Sequence, residues 1–121
     1  LNDKYAKQLK KGVLEILVLK LLAGQEKYGY QLIQELKLKS DDWFTLKEGT
    51  LYPILYRLEE DGMIESRWTL AKGKEVSKKY YTITGKGKVQ LQELLRLWDG
   101  FSTKVNEILK EGGDGTEEGA G

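Results

Sequence analysis

Two residue types with versatile chemistry are missing from this chain, which has no cysteine and no histidine. Their absence excludes disulfides, thiolate or imidazole metal ligation, Cys/His dyads and Ser/His/Asp triads. The carboxylates that remain fall in surface clusters, without the facing pair that carboxylate catalysis needs, so the sequence reads as that of a non-enzyme with no cofactor and no metal. Proline is scarce, occurring once, at Pro53. Long apolar runs are lacking as well: the densest, Val13 to Ala23, is interrupted by Glu15 and Lys20 and is too short for a membrane span or a leader. A cytoplasmic protein without membrane contact is the expectation, and its 121 residues suit one soluble domain.

What is present is charge, on 32% of the residues and nearly balanced at +1. Its distribution says more than its sum. Residues 66–88 hold Arg67, Lys72, Lys74, Lys78, Lys79, Lys86 and Lys88 against Glu75, a net +6, and residues 1–11 carry +3. Residues 12–65 carry −4 and residues 110–121 carry −3. The basic block is either a polyanion footprint, since phosphate neutralisation supplies most non-specific nucleic-acid affinity, or a solvated lysine-rich hairpin.

Hydrophobic periodicity predicts a helix over 9–22, with Leu14, Leu17, Val18 and Leu21 on one face and Gly24 as its C′ residue. That helix is apolar nearly all round and needs cover on two sides, more than so short a chain supplies. A second helix follows over 28–39, with Gly29, Leu32, Ile33 and Leu36 as a narrower stripe, and Ser40, Asp41 and Asp42 form a turn. Thr45-Leu46-Lys47-Glu48 reads as a capping box opening a third helix, and Asp61-Gly62 as its left-handed stop. Leu51, Ile54, Leu55 and Leu58 face the core, while Gly49, Pro53, Tyr56 and Arg57 lie opposite, flanked by Thr50 and Tyr52. Pro53 deletes the bond to the Gly49 carbonyl, an interior defect of about 3 kcal/mol unless a bend relieves it. It either shapes that outer surface or merely bends the helix.

After Met63 the period changes to two. Ile64, Ser66 and Trp68 alternate with Glu65, Arg67 and Thr69, Tyr80 to Ile83 favours a strand, and residues 70–77 form a long basic loop. Trp43 and Trp68 read as core anchors. Three helices followed by such a hairpin give the order of a winged helix-turn-helix, a mainly α fold with a small β-hairpin. A last helix, from an N-cap at Thr84 to about Lys110, carries Leu91, Leu94, Leu95, Trp98, Phe101, Val105 and Ile108 at near-heptad spacing. This seam, with Leu14 and Leu17 of the first helix, predicts a homodimer. The expected domains are a DNA-binding winged helix-turn-helix at 1–83, a dimerisation helix at 84–110 and a disordered acidic tail at 111–121.

The run Glu48-Gly49-Thr50-Leu51-Tyr52-Pro53-Ile54-Leu55-Tyr56-Arg57-Leu58-Glu59-Glu60-Asp61-Gly62-Met63-Ile64 closely resembles the signature of PadR-like transcriptional regulators. Upstream, Lys11 to Leu19 and Tyr28-Gly29-Tyr30 support the match; downstream, Lys78-Lys79-Tyr80-Tyr81-Thr82-Ile83-Thr84 and Gly87 do. The resemblance runs from about Lys10 to Leu109 and is to the short subfamily with a single dimerisation helix. It implies a dimeric DNA-binding protein, in most members a repressor, several of which small hydrophobic or phenolic effectors release from their operators. The wing departs from the family pattern, with Lys74-Glu75-Val76-Ser77 where a Gly/Pro and Arg-rich approach is common. Glu75 argues against minor-groove insertion but not against phosphate contact by Lys72, Lys74, Lys78 and Lys79.

On the third helix the candidates for operator contact are the hydroxyls of Thr50, Tyr52 and Tyr56 and the cations Lys47 and Arg57. A cation on a guanine edge is worth about 1–3 kcal/mol of discrimination, whereas hydroxyl contacts to phosphate fix register. Trp98, mid-seam, is the candidate for ligand binding. The resemblance implies a flat aromatic effector held between subunits beside a tryptophan so placed, and an indole face suits apolar or cationic rings. Packing of the dimer core is the competing role for Trp98. The alternative to the whole reading is a winged-helix dimer that binds a ligand or a protein without specific DNA binding.

Overall fold

The computed structural model describes residues 3–70 and 72–111, and all of the expected tail but Glu111 lies outside them. The elements are α1 (Asp3–Lys10), α2 (Val13–Gly24), β1 (Lys27–Tyr28), α3 (Gly29–Lys39), α4 (Glu48–Glu60), β2 (Ile64–Trp68), β3 (Lys79–Ile83) and α5 (Gly85–Lys110). Two compact units divide between Leu91 and Gln92, the first holding α1 to α4, the sheet and the start of α5. No helix among the described residues is long and apolar enough to cross a membrane.

The mainly helical winged architecture expected from the pattern is the one observed. Its core is built where the apolar stripes of three helices meet the sheet: Val18, Leu19 and Leu22 from α2, Leu32 and Leu36 from α3, and Leu51, Leu55 and Leu58 from α4 are all buried. Ile64, Tyr81 and Ile83 close it from the strands. The stripe of α4 is thus the i, i+3, i+4, i+7 set that the sequence marks. Helix α4 continues through Pro53, with the Gly49 carbonyl's turn on its exposed side.

The sheet is antiparallel, in the order β1-β3-β2. Strand β1, absent from the sequence reading, is two residues long, too short to carry any periodicity; its pairing of Lys27 with Tyr81 and Tyr28 with Tyr80 defines it.

Several local expectations are corrected. The first helical stretch is two helices, α1 and α2, broken at Lys11 and Gly12. Gly24 belongs to α2, and the extended residue after it is Gln25 at φ −174°. The capping box at Thr45 does not form. The N-cap of α4 is Lys47, without a side-chain bond, and Thr45 Oγ1 donates instead to the Asp42 carbonyl at 3.0 Å. The turn before it explains the shift. Asp41 and Asp42 take left-handed φ values of 51° and 70°, and the Ser40 hydroxyl donates to the Leu36 carbonyl at 2.6 Å while accepting the Phe44 N–H at 2.9 Å. Those bonds hold the chain non-helical past Thr45.

The stop of α4 forms as expected. Gly62 at φ 77° lets its N–H reach Glu59 and the Met63 N–H reach Leu58, at 3.0 and 2.9 Å, the paired bonds of a Schellman motif. Trp43 and Trp68, expected as core anchors, are 74% and 66% exposed. At Trp43 the left-handed turn aims the residue outward. At Trp68 the alternation is right but the strand outruns the core: Ile64 is buried, Ser66 half-buried and Trp68 exposed along one face.

Candidate nucleic-acid interface

The outward surface of α4 is polar and hydroxyl-rich. Lys47 at the N-cap, then Gly49, Thr50, Pro53, Tyr56 and Arg57, are exposed. Tyr52 is different. Its ring is half-buried and ends against the first residue of α3, so close that a Cβ on Gly29 would stand 2.3 Å from its hydroxyl. Arg57 donates from Nη2 to Glu15 Oε2 at 3.0 Å, tying α4 to α2 in an exposed ion pair. At the C-terminal end, Glu59 accepts the Ser66 hydroxyl at 2.6 Å, so one carboxylate of the acidic run Glu59-Glu60-Asp61 is turned to β2.

The wing is the arm from β2 to β3. Its base is fixed by Thr69 and Lys78, whose backbones bond at 2.8 Å while the Thr69 hydroxyl accepts the Lys78 N–H at 2.9 Å. A tight turn from Lys72 to Glu75, 2.9 Å between O and N, includes Gly73. Lys72 and Lys74 are exposed on this loop. Lys78 and Lys79 sit lower and lie over rings: Lys78 Nζ is 4.5 Å from the Tyr28 centroid, and Lys79 Nζ is 5.9 Å from Trp68 and 5.7 Å from Tyr81.

One row of residues escaped the sequence reading. Across the outer face of the sheet, Arg67 pairs with Tyr80 and Tyr80 with Tyr28. The guanidinium lies 5.3 Å from the Tyr80 centroid, and the two tyrosine rings meet edge to face at 5.4 Å. Arg67 also holds both oxygens of Glu26, one through Nε at 3.2 Å. The basic block contains Arg67, but Glu26 and Tyr28 of this row lie some forty residues upstream, on β1 and the turn before it, and only the fold joins them to Arg67 and Tyr80. On the inner face, Tyr81 is buried between these elements. Burial, and then the nearby Tyr52, Glu59 and Tyr56, push its phenol up to about 12.

Of the other sequence-predicted residues, Leu14 and Leu91 are buried within their own unit, leaving little surface for a subunit contact. Leu17, Leu94 and Leu95 are half-buried. Trp98, Phe101, Val105 and Ile108 are exposed along α5, and the Trp98 and Phe101 rings lie 6.3 Å apart, tilted by 38°.

Comparison with known proteins places this arrangement. The description of the transcriptional regulator PadR-like family matches residues 18–93. A PadR-like transcriptional regulator of Bacillus cereus is 37% identical, with a TM-score of 0.73 over 85% of this chain and 97% of its own. A PadR family transcriptional regulator of Eggerthella lenta is 31% identical, with a TM-score of 0.77 over 90% of this chain and 92% of its own. The negative transcriptional regulator PadR of Bacillus subtilis is 34% identical over 69% of this chain and 45% of its own length. A crystal structure of Bacillus subtilis PadR in complex with operator DNA superposes with a TM-score of 0.61.

Proposed function

Because this chain belongs to the PadR-like family of transcriptional regulators, we propose that it is a homodimeric repressor that reads an inverted-repeat operator with α4 and grips the flanking phosphates with the wing. The observation that carries this reading is the exposed polar face of α4, with Lys47, Thr50 and Tyr56, in the same compact unit as the exposed wing lysines Lys72 and Lys74. The relative solved with operator DNA supports DNA as the partner, and the naming of that relative as a negative regulator supports repression. The half-sites stand about one helical turn apart. The protein acts in the cytoplasm, where that DNA lies, as a regulator and not as an enzyme, without cofactor or membrane contact.

Magnitudes decide how the engaged cations take part. The Glu15–Arg57 pair is exposed, and such pairs are worth about 0–1 kcal/mol, less than the about 1–3 kcal/mol of a guanine contact. Arg57 therefore leaves Glu15 when DNA arrives. Lys78 and Lys79 are oriented by their rings but not neutralised, since a cation–π contact leaves the charge in place. They remain phosphate ligands alongside Lys72 and Lys74. Residues 1–83 form the DNA-reading body and residues 84–110 the dimerisation helix, whose exposed Trp98, Phe101, Val105 and Ile108 supply the apolar stripe that a second copy covers. Trp98 and Phe101 offer ring faces to a flat apolar or cationic effector whose binding releases the operator.

The test is selection of genomic fragments on the purified protein, followed by affinity measurement over a salt series. Replacing Lys72 and Lys74 together by Ala removes four cations from the dimer, weakens binding to every duplex and lowers the salt slope by about 4. Replacing Thr50 by Ala reduces discrimination among sequences. An unchanged slope in the double lysine variant contradicts the wing's role.

A further inference from the structure

Gly29 opens α3 without a positive φ, so its backbone conformation does not call for glycine. What calls for it is Tyr52. A Cβ at position 29 would lie 2.3 Å from the Tyr52 hydroxyl oxygen, 2.9 Å from Cζ and 3.3 Å from Cε1. Those distances are shorter than van der Waals contact, so the ring occupies the volume that any other side chain would take. A tyrosine has two torsions and a rigid ring, and relief requires the ring to swing out or α3 and α4 to separate.

The position of this notch gives it consequence. Gly29 directly follows β1, and β1 pairs with β3, one of the two strands that carry the wing. The N-terminus of α3 is itself held, because the Tyr28 N–H donates to Gln31 Oε1 at 3.0 Å. Tyr52, on α4, also neighbours Tyr81 on β3. A single ring therefore joins the helix proposed to read bases to the sheet that holds the proposed phosphate clamp. A duplex presents groove and backbone at fixed spacing, and two elements engage both only when their separation is fixed too.

We propose that the Tyr52 ring seated in the Gly29 notch sets the position of α4 relative to the wing, making Tyr52 a positioning residue for operator recognition and not an operator contact. The proposal rests on α4 being the recognition helix. It reassigns the one hydroxyl of the three on α4 that is half-buried, leaving Thr50 and Tyr56 to the DNA.

Three full-length variants test it, each measured by fluorescence anisotropy on a selected operator and on an unrelated duplex, at a temperature where circular dichroism shows the protein folded. Tyr52→Phe keeps the ring and loses the hydroxyl; its operator affinity stays within about twofold of wild type and its salt slope is unchanged. Gly29→Ala, which adds and removes no charge at a buried position, lowers operator affinity by about tenfold or more while affinity for the unrelated duplex is retained. In Gly29→Ala/Tyr52→Leu the shorter side chain makes room for the added methyl, and part of the selectivity returns. This pair also keeps the question open to measurement should Gly29→Ala alone not fold. A purely structural glycine would lower the melting temperature of Gly29→Ala and leave the affinity ratio of the folded protein untouched, overturning the proposal. Loss of operator affinity by about fivefold or more in Tyr52→Phe, with the fold still intact, would make the Tyr52 hydroxyl a direct contact and overturn it equally. Absence of any sequence preference in the wild-type protein overturns the underlying reading of α4 instead, which separates the two failures.

Discussion

Tyr81, 3% exposed in the middle strand of the sheet, ties stability to pH. Burial first, and then the neighbouring Tyr52, Glu59 and Tyr56, raise its phenol from the ordinary 10 to about 12. Below pH 10 folded and unfolded chains both hold the proton, and the contribution is complete. Between about 10 and 12 the unfolded chain releases it while the folded one does not, so stability falls as pH rises through that window, by about 2–3 kcal/mol across it. Urea midpoints between neutral and alkaline pH should show this decline in the wild type and a flatter one in Tyr81→Phe; parallel curves would remove Tyr81 as the cause. At the same scale, residue identity alone misleads at Trp43 and Trp68. A large apolar side chain declares how much area it could bury, but burial also needs something to pack against. Trp43 stands in a left-handed turn and Trp68 beyond the edge of the core, where its cross-strand partner Lys79 supplies a cation over the ring.

Between elements, the junction of α4, β2 and α5 is concentrated on Thr84. Its hydroxyl donates to the Gly62 carbonyl at 2.7 Å and accepts the Gly87 N–H at 3.0 Å, while its own N–H donates to the Met63 carbonyl at 3.0 Å. One side chain thus caps α5 and closes the chain just past the end of α4. Thr84→Val keeps the shape and loses both hydroxyl bonds, costing about 1–2 kcal/mol in denaturant unfolding, and Thr84→Ser recovers most of it. Gly87→Ala is worse, because its Cβ would stand 2.0 Å from the Met63 carbonyl oxygen. A Thr84→Val protein as stable as wild type would show the junction to be incidental. The helical elements were legible where a stripe and a stop signal agreed: α4 from Leu51 to Gly62, and α5 from the Thr84 cap. Illegible were β1, which exists only through its pairing with β3, and the start of α4, where Ser40 and the left-handed Asp41 and Asp42 outcompete the box at Thr45. The candidate site divides the same way. The outward face of α4 follows from helical projection, whereas the seating of Tyr52 on Gly29 and of Arg57 on Glu15 depends on neighbours twenty or more residues away.

For the whole molecule, the exposed seam of α5 sets the expected assembly. Trp98 is 43% exposed, and Phe101, Val105 and Ile108 share its stripe, an apolar surface that a lone chain leaves in water. Phe101→Glu should shift sedimentation toward a lighter, concentration-independent species and weaken operator binding with it, with thermal unfolding of the first unit little changed. Leu91→Ala should behave oppositely, since Leu91 is buried in that unit and truncation of a buried leucine costs about 2–5 kcal/mol. The overall charge of +1 likewise acquires meaning only once placed: the basic loop and strand of the wing lie in one compact unit with the polar face of α4. The most direct test of the central claim is the affinity of the intact protein for a selected genomic fragment and for an unrelated duplex of equal length, each followed by anisotropy over a salt series. The account predicts preference for the selected fragment by about a thousandfold or more, with affinity for both falling steeply as salt rises. Equal affinity for the two duplexes, or binding indifferent to salt, would contradict it.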